Sequence, residues 1–244
     1  MVLEGMVMGA IVVLAGEELR GYAARLCRAL AGQGWELIAA DGGADRLAAL
    51  GLTPALIVGD GDSLRGEFAA IPRLSLERRK NFTDGAAALS YALEHYEGRV
   101  WLLGAMGGRP DHQLANLLLP LEAARRLKPR SAPGQRDWPA RRVCLAGESW
   151  RACYAGAGRT LIQGRAGDTV SLVPLQAVKG LSLSGLEYPL QDYSANLGDS
   201  RTISNVLTDR EGEIVFERGM LLIFQIFAAC QSEEPDENIA LQGE

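Results

Sequence analysis

The sequence predicts an N-terminal, mostly parallel α/β sheet domain followed by an antiparallel β-sandwich domain. Three observations carry that expectation. Strand and helix signals alternate through the first half, and short β-rich runs punctuated by glycine fill the second. A Pro/Arg-rich segment, Pro129 to Arg142, stands between them. The expected division is an α/β domain over 1–142, a β-sandwich over 143–231 and an acidic, apolar-poor tail over 232–244.

The elements follow in order. Met8 to Ala15 is a short apolar run rich in β-branched residues, the pattern of a strand buried on both faces. Leu19, Tyr22, Ala23, Leu26, Cys27 and Leu30 recur at three- and four-residue steps and so share one helix face. Glu36 to Ala40 reads as a strand, Ala44 to Leu50 as a short helix and Ala55 to Val58 as a third strand. Asp84 to Tyr96 is helical, with Leu89, Leu93 and Tyr96 inward. Val100 to Leu103 is a strand, and Leu114, Leu117, Leu118 and Leu121 mark one more helix. Beyond Val143, the clearest strands are Thr169 to Val173, Leu181 to Leu183, Ile214 to Phe216 and Met220 to Phe227.

Composition narrows the function classes. The net charge of −5 leaves no basic footprint for nucleic acid. Four cysteines without a CxxC pair, beside two histidines, argue against a zinc site. The first apolar run lacks a basic flank and a cleavage site, and no stretch approaches the length of a membrane span. The expected setting is the cytoplasm, without a membrane partner and with the cysteines mostly as small core residues.

The chemistry is expected at the carboxyl ends of the N-terminal strands, where open α/β sheets bind ligands. Asp41 follows the second strand in ADGGADRL, where Gly42 and Gly43 permit a tight turn. Asp60 and Asp62 follow the third in GDGDSL; two residues apart on an extended segment, they point the same way. Asp84 opens a helix with Thr83 as its cap. Any one of these would serve as a turn or cap residue. Gathered at one sheet edge they repel one another unless a cation sits among them, and oxygen ligands beside phosphates suit Mg²⁺.

A fourth motif, GAMGGRPDHQLAN, spans Gly104 to Asn116. Gly104, Gly107 and Gly108 can turn backbone amides toward an anion, Arg109 can chelate a phosphate, and Asp111 can orient Arg109 or cap the helix. His112 lies beside these phosphate candidates. Neither GxGxxG nor GxxxxGK[ST] occurs, which argues against a dinucleotide-dependent oxidoreductase. In the second half, Tyr188 in GLEYPL offers an aromatic face, and TISN (Thr202 to Asn205) offers hydroxyl and amide groups at a turn.

These motifs, with the K-N-F-T-D run and SRTISN, occur in the order and spacing of bacterial thiamine pyrophosphokinases, which the chain resembles from about Ile11 to Phe227. The resemblance implies an ATP- and Mg²⁺-binding α/β domain, a β-sandwich that helps bind thiamine, and a homodimer. It implies transfer of pyrophosphate from ATP to the thiamine hydroxyl. By position, Asp41, Asp60, Asp62 and Asp84 are the implied catalytic and metal-site carboxylates. Gly42, Gly107, Gly108, Arg109, Asp111, His112 and Asn116 fall on the nucleotide side. Tyr188, Ser204 and Asn205 fall on the thiamine side. Three positions depart from the family pattern: Gly61 stands where Phe is usual, Asn81 where Asp is frequent, and Val206 where Glu is frequent. A pyrophosphokinase acting on another hydroxymethyl heterocycle, such as a pterin, and an inactive ligand-binding homologue are the alternative readings.

Overall fold

The computed structural model describes residues 9–77, 81–126 and 142–228. Most of the Pro129 to Arg142 excursion, the tail from 232 and the start of the first predicted strand lie outside them. By internal contacts the described chain divides into two units, one comprising residues up to 126 together with 142–148, the other 149–228.

The first unit is a six-stranded parallel sheet. β1 (Gly9–Val13), β2 (Glu36–Ala40), β3 (Leu56–Gly59) and β4 (Arg73–Ser75) lie side by side in chain order. The chain then crosses back, so that β5 (Arg99–Leu103) pairs with the other edge of β1, and β6 (Val143–Ala146) pairs with β5. Every residue of β1 is buried, as expected of a central strand covered on both faces. Helix α1 (Gly21–Gly32) buries Tyr22, Ala23, Leu26 and Cys27, the face that the periodicity predicts. Burial holds the Cys27 thiol protonated, with its pKa pushed up to about 12.

Two features of this unit differ from the sequence reading. Val143–Ala146 was expected to open the β-sandwich; it is instead the outermost strand on the β5 side of the parallel sheet. Its run, VCLA, is buried throughout, the same pattern that marks β1, so composition favoured the parallel sheet over the position after the excursion. β4, by contrast, is exposed along its length and has no apolar run to reveal it.

Helix α2 (Gly43–Ala48) follows β2, α3 (Asp84–His95) follows β4, and α4 (Pro110–Arg126) follows β5. Leu89 and Leu93 of α3 are buried and Tyr96 beyond it is half-buried. In α4 the buried side chains include Leu119, Ala123 and Ala124, whereas Leu114 and Leu118 are 61% and 38% exposed. The leucine stripe thus marks the helix but is not its inward face. Thr83 caps α3, its Oγ1 accepting from the Ala86 amide at 3.1 Å. Thr83→Ala should therefore cost about 1 kcal/mol, read as a shift in the urea midpoint.

The second unit is wholly antiparallel. β7 (Trp150–Gln163) pairs with β12 (Glu211–Ile226) along nearly its whole length. β9 (Val178–Ser184) pairs with the first part of β12 and β8 (Thr169–Pro174) with the last part. β10 (Leu190–Ala195) extends the β9 side, and β11 (Asn205–Val206) the β8 side. The two runs Ile214 to Phe216 and Met220 to Phe227, read as separate strands, are one strand with a register shift between them. Gly219 sits there at φ +109, and an added Cβ would lie 2.5 Å from the Ala177 carbonyl, so the strand bends without breaking. Val170, Leu172, Leu181, Leu183, Ile214, Phe216, Leu221 and Ile223 form one buried core between the two sides.

Candidate active site

The first unit changes winding direction at β1, whose neighbours are β2 and β5. Such a switch point leaves a crevice beyond the strand ends. A cleft of about 530 Å³ lies there, lined by Leu14–Gly16 after β1, Asp41 after β2, Thr83 and Asp84 at the start of α3, and Gly107–Arg109 after β5.

Asp41, Asp60 and Asp62 each place a carboxylate oxygen within 4.8 Å of the others. Asp84 lines the same cleft as Asp41. Gly59 separates these two: a Cβ there would approach Asp41 Cβ to 3.0 Å and Asp84 Oδ1 to 3.2 Å. The structure therefore gathers three of the four carboxylates selected from sequence and sets the fourth, Asp84, in the cleft that Asp41 lines.

Asp41 is the most constrained of them. It is 4% exposed and has φ +45, a left-handed conformation that Asp tolerates better than most residues. The Ser63 hydroxyl donates to Asp41 Oδ2, which also accepts the Ser63 amide at 2.9 Å. That leaves Oδ1 buried and without a hydrogen-bond partner. An unpartnered buried carboxylate oxygen beside two further carboxylates is the donor set of a hard divalent cation, so these residues fit Mg²⁺.

The flanking loops are held by side chains that the sequence reading did not single out. Asp45 accepts from the amides of Arg65 and Gly66 at 3.0 and 2.8 Å, pinning the chain that follows Asp62. Arg46 Nη2 donates to the carbonyls of Ala15 and Gly16 at 3.2 and 2.9 Å, and Arg46 lines the cleft. Both residues stand inside ADGGADRL, four and five positions after Asp41. A one-turn helix directly behind a strand end turns them toward neighbouring loops, and that placement was the available signal.

On the β5 side, Gly107, Gly108, Arg109, His112 and Asn116 line the cleft. Gly107 and Gly108 have φ +87 and +72, a conformation that L side chains rarely adopt. Asn116 Nδ2 donates to the Ala105 carbonyl at 2.9 Å and so braces this loop from within α4. Arg109 is engaged by Asp111 through two contacts, Nε to Oδ1 at 3.1 Å and Nη2 to Oδ2 at 2.6 Å. That bidentate hydrogen bond lowers the Asp111 pKa to about 2, so the pair stays ionised across the neutral range. Asp111 accordingly orients Arg109. The Gly42 amide donates to Ser63 Oγ at 3.1 Å, so Gly42 serves the Asp41 loop.

In the second unit, Tyr188 is 60% exposed and Ser204, also exposed, has φ +60. Asn205 is 4% exposed, and its side chain is spent on the chain around Tyr188. Oδ1 accepts the Tyr188 amide at 2.9 Å and Nδ2 donates to the Tyr188 carbonyl at 2.8 Å. Asn205 thus holds the Tyr188 loop. Of the departures from the family pattern, Gly61 has φ +83, and a Cβ there would meet only Arg73 Nη1 and Leu64 Cδ1, at 3.6 and 3.8 Å. What this glycine supplies is backbone conformation. No structural consequence follows for Asn81 or Val206.

Two family models match the chain: "Thiamin pyrophosphokinase, catalytic domain" over residues 29–129, and "Thiamin pyrophosphokinase, vitamin B1 binding domain" over 160–221. The chain is 28% identical to the thiamine pyrophosphokinase of Bacillus subtilis (strain 168) over 200 residues, 77% of this chain and 86% of that one. The crystal structure of thiamin pyrophosphokinase from Geobacillus thermodenitrificans superposes with a TM-score of 0.73 at 25% identity, covering 91% of this chain and 99% of that one. A family protein from Enterococcus faecalis superposes equally well, with a TM-score of 0.73, at 22% identity over 90% of this chain and 99% of that one. That last likeness concerns the fold alone.

Proposed function

The chain belongs to the thiamin pyrophosphokinase family, and from that membership we propose that it transfers the pyrophosphoryl group of ATP to the hydroxyl of thiamine, giving thiamine diphosphate and AMP. The observation that carries the reading is the convergence of Asp41, Asp60 and Asp62 within 4.8 Å, with Asp41 Oδ1 buried and unpartnered.

In this reading the thiamine hydroxyl oxygen bonds to the β-phosphorus of ATP. The bond to the oxygen bridging toward the α-phosphorus breaks, AMP leaves with that oxygen, and a carboxylate takes the hydroxyl proton. Bound Mg²⁺ would supply charge neutralisation on the phosphate oxygens. Asp41, Asp60, Asp62 and Asp84 would hold the ion. Ser63 keeps Asp41 Oδ2 occupied, so that Oδ1 is the atom offered. The Gly107–Gly108 loop, braced by Asn116, and Arg109 and His112 form the nucleotide wall. Positioning and charge stabilisation supply the rate. Tyr188, held by Asn205, and Ser204 are the thiamine-side candidates. The protein would act in the cytoplasm as a homodimer. Among the described residues no helix is long and apolar enough to cross a membrane, and a second copy would cover the exposed Leu114 and Leu118.

The test is direct. Purified protein with ATP, Mg²⁺ and thiamine should yield thiamine diphosphate and AMP in equal amounts by chromatography, and excess EDTA should stop both. Release of ADP in place of AMP, or turnover only with a pterin alcohol, would replace this reading.

A further inference from the structure

We infer that Arg46 is a phosphate-binding residue of this cleft, donating to the polyphosphate of the nucleotide while it holds the loop after β1 in place. The inference rests on the nucleotide reading given above and assigns a residue to it. A polyphosphate brings several negative charges to a cleft already lined by Asp41 and Asp84. Cationic donors are needed beside the metal ion to offset that charge.

The residue expected from sequence to provide this charge, Arg109, is already committed. Its guanidinium is doubly hydrogen-bonded to Asp111, and the two side chains are 74% and 61% exposed. Arg46 lines the same cleft, and among the described residues no carboxylate pairs with it. Nη2 alone is engaged, on the carbonyls of Ala15 and Gly16. Nε is buried without an acceptor. A guanidinium has five N–H donors in a rigid plane, so the arm tied to the loop fixes the direction of the others. A buried donor without an acceptor costs free energy that an incoming anion recovers.

The experiment compares ATP and adenosine binding, without thiamine, in wild type, R46Q and R46K, with thermal melting of each. R46Q keeps an amide donor for the loop and removes the charge. It should weaken ATP about 10- to 100-fold, the range of a lost charge-assisted hydrogen bond, and leave adenosine within about threefold. R46K should recover part of the ATP affinity.

ATP affinity in R46Q within about threefold of wild type would overturn the assignment. So would equal losses for ATP and adenosine, which mark a residue that only holds its loop. If R46Q does not melt cooperatively, R46K decides: retained preference for ATP over adenosine supports the assignment, and its loss overturns it. Wild-type protein that binds no ATP would end both this inference and the proposed function. Wild-type protein that binds ATP but forms no thiamine diphosphate would end only the latter.

Discussion

Asp62→Asn should lower turnover by about 10²- to 10⁴-fold, several kcal/mol of lost charge stabilisation in the transition state. It should move the melting temperature by no more than about 2 °C. The asymmetry follows from where Asp62 sits. It is exposed, so its burial contributes little to the fold, yet its carboxylate lies within 4.8 Å of those of Asp41 and Asp60. The same substitution should weaken Mn²⁺ binding in the absence of any substrate, measurable by electron paramagnetic resonance. Wild-type turnover together with wild-type Mn²⁺ affinity would remove Asp62 from the metal site.

The largest stability effect is expected in the second unit. Asp168→Ala should cost about 3–5 kcal/mol and lower that unit's melting temperature by about 10 °C or more. Asp168 is 1% exposed. Its Oδ1 accepts the Ala228 amide at 3.0 Å, and its Oδ2 accepts Gln225 Nε2 at 2.8 Å and the Arg165 amide at 3.1 Å. Gln225 Oε1 in turn accepts Arg151 Nε and Nη2 at 3.0 and 2.7 Å. Arg151 and Gln225 are each 3% exposed. The carboxylate thus ends a buried hydrogen-bonded chain that runs through the glutamine to the Arg151 guanidinium. Its loss leaves desolvated donors on β12 and in the turn before β8. Asp168→Asn, which keeps most of the shape, should lie between wild type and Ala. A shift below about 3 °C for the Ala variant would show that the network is dispensable.

Much of the candidate site was legible because its parts are local. A carboxylate behind a strand end is visible as an apolar run followed by Asp, and parallel strands share one carboxyl edge. Asp41, Asp60 and Asp84 could therefore be assigned to one rim before any coordinates. The cap at Thr83 was legible for the same reason, since donor and acceptor are three residues apart. The pairing of Arg109 with Asp111 was legible too, since the two stand two residues apart. The role of Arg46 was not, because its partners, the carbonyls of Ala15 and Gly16, lie about thirty residues away. Asn205 belongs with it. Its motif suggested a ligand contact, but its amide is spent across the sheet on the backbone of Tyr188.

The sequence by itself determined the two fold classes, the order of the strands and helices of the first half apart from β4, and the loops that carry acid. Those depend on periodicity, turn chemistry and chain direction, which act over a few residues. Tertiary structure alone decided that Val143–Ala146 joins the parallel sheet, that β12 runs as one bent strand, and which polar side chains support the fold and which face the cleft. Those outcomes rest on hydrogen bonds between residues far apart in the chain, and a donor's partner is fixed only when packing brings one acceptor within about 3 Å.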